Sequence, residues 1–124
     1  GQVIVYNFDG TNLTRSCVIS NPQTAQYDRF GFAVDVSGDG KSIAIALVSK
    51  DASGNQTKKG RVFVYDYNAA TNVAALESTL TGHDTLIGDQ FGTNIALSND
   101  ATSLAVSGYI GSSYSNRGAV YIFN

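Results

Sequence analysis

Short runs of β-branched and aromatic residues alternate along the chain with clusters of Gly, Asn, Asp and Ser, the pattern of strands separated by turns. The runs fall at 3–8, 13–19, 32–37, 42–48, 61–67, 74–80, 93–98, 103–107 and 119–123. No window carries an apolar stripe with the helical period, so the pattern predicts an all-β chain of about nine strands. Within 61–67, Val62 and Val64 point to one side while Phe63, Tyr65 and Tyr67 point to the other. Both faces of such a sheet are apolar and both must be covered. Without helices, sheet must pack on sheet on both sides, which favours a radial or linear stack of small sheets over a two-layer sandwich.

The same phrases recur. Asp28-Arg29-Phe30-Gly31 returns as Asp89-Gln90-Phe91-Gly92, and the strand that opens Gly1-Gln2-Val3-Ile4-Val5-Tyr6 returns at Gly60 to Tyr65 and at Gly118 to Phe123. The period is about 60 residues and holds four strands, the grammar of a β-propeller blade. The expected organisation is a single domain over 1–124, with repeat units at about 28–80 and 89–124 and leading strands within 1–19. In fold class this is all-β: two tandem four-stranded antiparallel propeller-like blades forming an incomplete propeller. Asp28 and Asp89 suit a turn in which a short carboxylate accepts backbone N–H groups. Phe30 and Phe91 are expected to plug the core between blades, with Gly31 and Gly92 allowing close backbone approach or positive φ.

The ordered set of D-x-F-G, then Ser37-Gly38-Asp39-Gly40 or its relic, then an I/L-A-I/V run, then G-x-V-x-V-Y resembles the FG-GAP repeat, the blade unit of integrin-type β-propellers. Ile45-Ala46-Leu47 and Val106-Ser107-Gly108 stand where that family often has Gly-Ala-Pro, so the resemblance is to a degenerate form. It implies a non-catalytic structural or adhesion module, outside the cell or at its surface. The family's calcium loop, D-x-N-x-D-G-x-x-D, makes Asp35, Ser37 and Asp39 a candidate Ca²⁺ site. Ile43 replaces its closing carboxylate, and Leu97, Asn99 and Ala101 occupy the aligned positions of the second copy. A plain hairpin turn that uses glycine for positive φ explains the same residues.

Composition narrows the partners. Eight basic and ten acidic residues spread along 124 leave no basic face for nucleic acid. No apolar run approaches the length of a membrane span. The chain starts at Gly1 and contains no Met, so a processed or excised piece is expected, and the lack of a leader decides nothing. Cys17, the one cysteine, lies in an apolar string and reads as a small core residue. His83, the one histidine, lies in a polar loop with no nucleophile placed beside it, and Gly38-x-Gly40 precedes no helix that could cradle phosphate. No catalytic residue and no cofactor beyond the Ca²⁺ candidate is expected.

Asn12-Leu13-Thr14 and Asn55-Gln56-Thr57 are sequons, about the number chance supplies in so Asn/Ser/Thr-rich a chain, and Asn12 and Asn55 are candidate glycosylation sites in outward loops. A carbohydrate- or ligand-binding module acting through loop aromatics such as Tyr109 and Tyr114 is the alternative function. Two blades cannot close a propeller, which takes at least about four. The partners expected are therefore other copies of the chain, in a ring or filament, or further blades of a longer chain, with glycans or surface proteins as possible ligands.

Overall fold

The computed structural model describes residues 1–23, 27–49, 59–85, 87, 89–110 and 117–124. Nine strands follow in order: β1 (Gln2–Phe8), β2 (Leu13–Ser20), β3 (Asp28–Val36), β4 (Ser42–Ser49), β5 (Arg61–Asn68), β6 (Val73–Leu80), β7 (Asn94–Leu97), β8 (Leu104–Ile110) and β9 (Arg117–Phe123). They form three antiparallel sheets, β1-β2, β3-β4-β5-β6 and β7-β8-β9, each a meander with consecutive strands paired. There are no helices among the described residues, and so none long and apolar enough to cross a membrane. The arrangement is an incomplete propeller: one full blade, preceded by the last two strands of another and followed by the first three of a third.

The central blade is covered on both faces, as the alternation in 61–67 requires. One cluster joins Phe63, Tyr65, Tyr67, Ile43, Ile45 and Leu47 of the central sheet to Ile19, Val3, Val5 and Cys17 of the first sheet, with Phe30 between them. The other joins Ala44, Ala46 and Val62 to Ile95, Leu104 and Val106 of the third sheet, with Phe91 between them. Successive residues of β4 and β5 thus enter opposite cores, and β4 is buried along nearly its whole length.

The repeat extends to irregularities. A bulge falls between Val5 and Tyr6 in the first sheet and between Val64 and Tyr65 in the second, at matching positions of the two copies. Every strand differs from the sequence reading by a residue or two at an end, and the largest differences are the start of β3 and the end of β8, which runs to Ile110 where 107 was expected. β3 begins at Asp28, four residues before the expected start at 32, because Asp28, Arg29 and Phe30 already pair with Ser49, Val48 and Leu47 before the ladder skips to Val34. β7 is short because the matching corner is held by single bonds, Gln90 N–H to the Tyr109 carbonyl and Gly92 N–H to the Ser107 carbonyl, and not by a continuous ladder.

Phe91 is fully buried, whereas His83 projects from a loop with its side chain 85% exposed. Phe91→Ala is expected to cost about 3–5 kcal/mol by emptying a closed core. His83→Ala should cost under about 0.5 kcal/mol. Denaturant melts compare them, and equal midpoint shifts would refute the plugging role of Phe91.

Candidate functional site

The corners are built from two chain segments each. Phe30 lies 5.8 Å from Phe63, centroid to centroid, and Gly31 follows with φ of +86°. A Cβ on Gly31 would sit 3.2 Å from Val3 Cγ2 and 3.7 Å from the Gln2 carbonyl oxygen. In the second copy Phe91 packs edge-on to Tyr121 at 5.2 Å and Phe123 at 6.2 Å. Gly92 has φ of +92°, and its Cβ would meet Ala46 Cβ at 3.2 Å, the Arg61 carbonyl oxygen at 3.5 Å and Val62 Cγ2 at 3.6 Å. Positive φ and close approach therefore coincide at both corners.

Sequence reasoning gave no task to the glycine that opens each G-x-V strand. A Cβ at Gly1 would overlap the carbonyl oxygen of Phe30, and one at Gly60 would overlap that of Phe91. The signal was present, since the glycine recurs with its strand, but its contact lies one blade away. Asp28 and Asp89 are both buried beside these corners, Asp28 as the first residue of β3.

The calcium candidates do not converge. Asp35 turns away from the loop: its Oδ1 accepts from the Val36 N–H at 2.9 Å and its Oδ2 from the Leu97 N–H of the next blade at 2.6 Å. Asp39 Oδ1 accepts from the Ser37 hydroxyl at 2.7 Å and the Lys41 N–H at 3.0 Å, while Ser37 Oγ accepts from the Ser42 N–H at 3.0 Å. Gly40, with φ of +72°, completes the hairpin turn. The second copy builds the same turn from Ser98, Asp100, Ala101 and Ser103: Ser98 donates to Asp100 Oδ1 at 2.8 Å and accepts from the Ser103 N–H at 2.9 Å. The structural equivalents of Ser37 and Asp39 are thus Ser98 and Asp100, one residue before the Asn99 and Ala101 of the sequence alignment. That alignment carried an offset from the calcium-loop spacing, whereas hydrogen bonding fixes the register. No group of three or more His, Cys, Asp or Glu that could hold a metal occurs among the described residues.

Both turns and the second corner fall on a recurrent unit. Residues 75–123 match the family model of the FG-GAP repeat. No curated protein and no solved structure matches the chain. The FG-GAP match begins inside β6 and runs to the end of β9, so it takes in the Phe91-Gly92 corner and the Ser98–Ser103 turn. The first corner and turn lie outside the matched span and reproduce its geometry.

Polar pins join the third sheet to the blade before it. Besides Asp35 to Leu97, the Gly38 N–H donates to the Asn99 carbonyl at 2.9 Å, and a Cβ on Gly38 would collide with the Asn99 side chain. Between the first two sheets, the Tyr67 hydroxyl bonds Asn7 Oδ1 at 2.7 Å and Ser16 Oγ at 2.5 Å, and Ser16 donates to Asn72 Oδ1 at 2.7 Å. The Tyr121 hydroxyl donates to Asp84 at 2.5 Å; burial, then that carboxylate, push its phenol up to about 12. Cys17 is free, half-buried and packed on the first core. His83 stacks edge-on to Tyr121 at 5.9 Å. Asn12 is exposed in the β1–β2 turn, whereas Asn55 and Tyr114 lie outside the described residues.

Two outcomes follow for the turns. Replacing millimolar Ca²⁺ with EDTA is expected to leave the melting temperature unchanged; a shift of several degrees that is lost in Asp39→Ala would restore the cation site. Hydrogen bonds from Lys41 N–H and Ser37 hold the Asp39 carboxyl below its ordinary 3.8, and those from Ser98 and Thr102 do the same for Asp100. A depressed folded pKa stabilises above 3.8 and loses that contribution as pH falls through the folded value. Melting temperature should therefore drop on acidification below 3.8, and the double variant Asp39→Asn/Asp100→Asn should flatten that drop. An unchanged acid limb in the variant would refute the assignment.

Proposed function

We propose that this chain is a non-catalytic structural or adhesion module of the extracellular or cell-surface type, which works by packing with further blades through its sheet faces and edges. The observation that carries the reading is the contrast between equivalent positions. Ile95, covered by the central blade, is 7% exposed, whereas Val34, its counterpart in β3, is 52% exposed where the first blade lacks its two leading strands. Val62 of β5 is fully buried, whereas its counterpart Val120 in β9 is 67% exposed. Ile4, Tyr6 and Phe8 of β1 are likewise exposed where Phe63, Tyr65 and Tyr67 of β5 are covered. Apolar sheet faces left exposed at both ends of the stack in this way mark interaction faces. The neighbours are other copies of the chain, in a ring or filament, or blades of a longer chain.

The FG-GAP match supports an adhesion-type, non-enzymatic role. The exposed Asn12 sequon would accept a glycan in a eukaryotic secretory pathway. Light scattering and electron microscopy of native material should show particles larger than one 13.1 kDa chain. A folded, monodisperse monomer at micromolar concentration would sink the packing role, and tight binding of a defined saccharide on a glycan array would replace it with a lectin-like one.

A further inference from the structure

The structure contains two filled copies of one receptor and a third that is open. In the first, the Phe30-Gly31 corner rests on Gly1, the Gln2 carbonyl and Val3. In the second, the Phe91-Gly92 corner rests on Gly60, the Arg61 carbonyl, Val62 and, from the neighbouring strand, Ala46. The equivalent positions in the last sheet are Gly118, Ala119, Val120 and Ser107. All four line one cleft of about 290 Å³, together with the exposed ring of Tyr109. Gly118 has nothing within 4 Å of where its Cβ would be, whereas Gly1 and Gly60 are each closed over by a phenylalanine carbonyl.

We propose that this cleft is a docking site for the Phe-Gly corner of a further repeat, with the phenylalanine carbonyl over Gly118 and a positive-φ glycine against Ser107 and Val120. The inference rests on the blade-packing reading above and specifies its partner. An intact second copy does not supply that corner, because Phe30 and Phe91 are both buried and both corner glycines are already seated within their own chain. The occupant is a repeat whose corner is not yet engaged. The cleft fits it because glycine at 118 admits a backbone carbonyl at a distance no side chain would permit, and because Val120 and Ile122, both more than half exposed, continue the apolar face that Val62 and Val64 offer in the filled case.

The experiment extends the 124-residue chain beyond Asn124 with a second copy of residues 67–124, which supplies a fourth strand and then a free Phe-Gly corner. Gly118→Val should leave the melting temperature of the unextended chain unchanged and lower that of the extended chain by about 3–10 °C through overpacking. Gly60→Val should destabilise both, as the control for a closed receptor. An extension that stops at the copy of Leu80, and so adds the fourth strand without the corner, should abolish the Gly118→Val effect, and replacing the appended phenylalanine by Ala should loosen the corner. Hydrogen exchange gives a reading even if melting is not a single transition, with the amides of Ala119 and Val120 slowed by the extension and released by the appended Phe-to-Ala change. Equal tolerance of Gly118→Val in both chains, or exchange at these amides indifferent to the appended phenylalanine, overturns the proposal. So does dimerisation of the unextended chain that Gly118→Val abolishes, since the occupant would then be a second copy. Failure here leaves the particle-size result for native material untouched, so the two readings fall separately.

Discussion

The two middle strands of the central sheet, β4 and β5, carry apolar side chains on both faces, so that sheet leaves water only when another sheet packs on each side of it. In β5 the odd positions Phe63, Tyr65 and Tyr67 enter one core and the even positions Val62 and Val64 enter the other. No single sheet can satisfy that pattern, and a two-layer sandwich would leave half of it in water. The Phe-Gly corner makes stacking close enough to exclude water. Its phenylalanine fills the gap between sheets while its carbonyl comes so near the preceding blade that only glycine fits at positions 1 and 60. Spacing between blades is therefore set by backbone against backbone.

The energetic order follows from burial. Fully burying a phenylalanine side chain contributes about 1.5–3 kcal/mol before cavity effects. A single polar link such as Asp35 to the Leu97 N–H contributes a net of about 0.5–1.5 kcal/mol, somewhat more for a charged acceptor. The apolar plugs hold the blades together, and the links decide how they are aligned. Asp35 and Gly38 both reach the β7–β8 end of the next sheet, so a slip of one residue between blades would break both bonds at once. The Asn7, Ser16, Tyr67 and Asn72 network does the same for the first pair of sheets.

Strand number, order and the double-sided packing were legible because they rest on periodicity and repetition, which are local properties of a sequence. What escaped was whatever depends on contacts between blades. Asp35 looked like a cation ligand because it lies two residues before Ser37, yet its partner is an amide 62 residues away. Gly1 and Gly60 looked like strand openers because nothing nearby in sequence needs a missing Cβ. The hairpin turns were placed in the right loops, but their equivalence was off by one residue, since side-chain spacing says less about register than the Ser-to-Asp hydrogen bond that closes each turn.

The two copies also reveal which positions the architecture constrains. At the tip of the first turn Gly40 has φ of +72°, and at the same place in the second stands Ala101 with φ of +58°. An alanine there costs about 1–2 kcal/mol in left-handed backbone, a penalty the second turn absorbs with Ala101 exposed at its tip. At the corners the alternative is steric overlap with main chain, and glycine stands at both corner positions and at every opening of a G-x-V strand. Drift is tolerated where only local conformation is at stake. It is not seen where a side chain would force two sheets apart, which makes the spacing between blades, more than any turn or surface charge, the property that this sequence is written to keep.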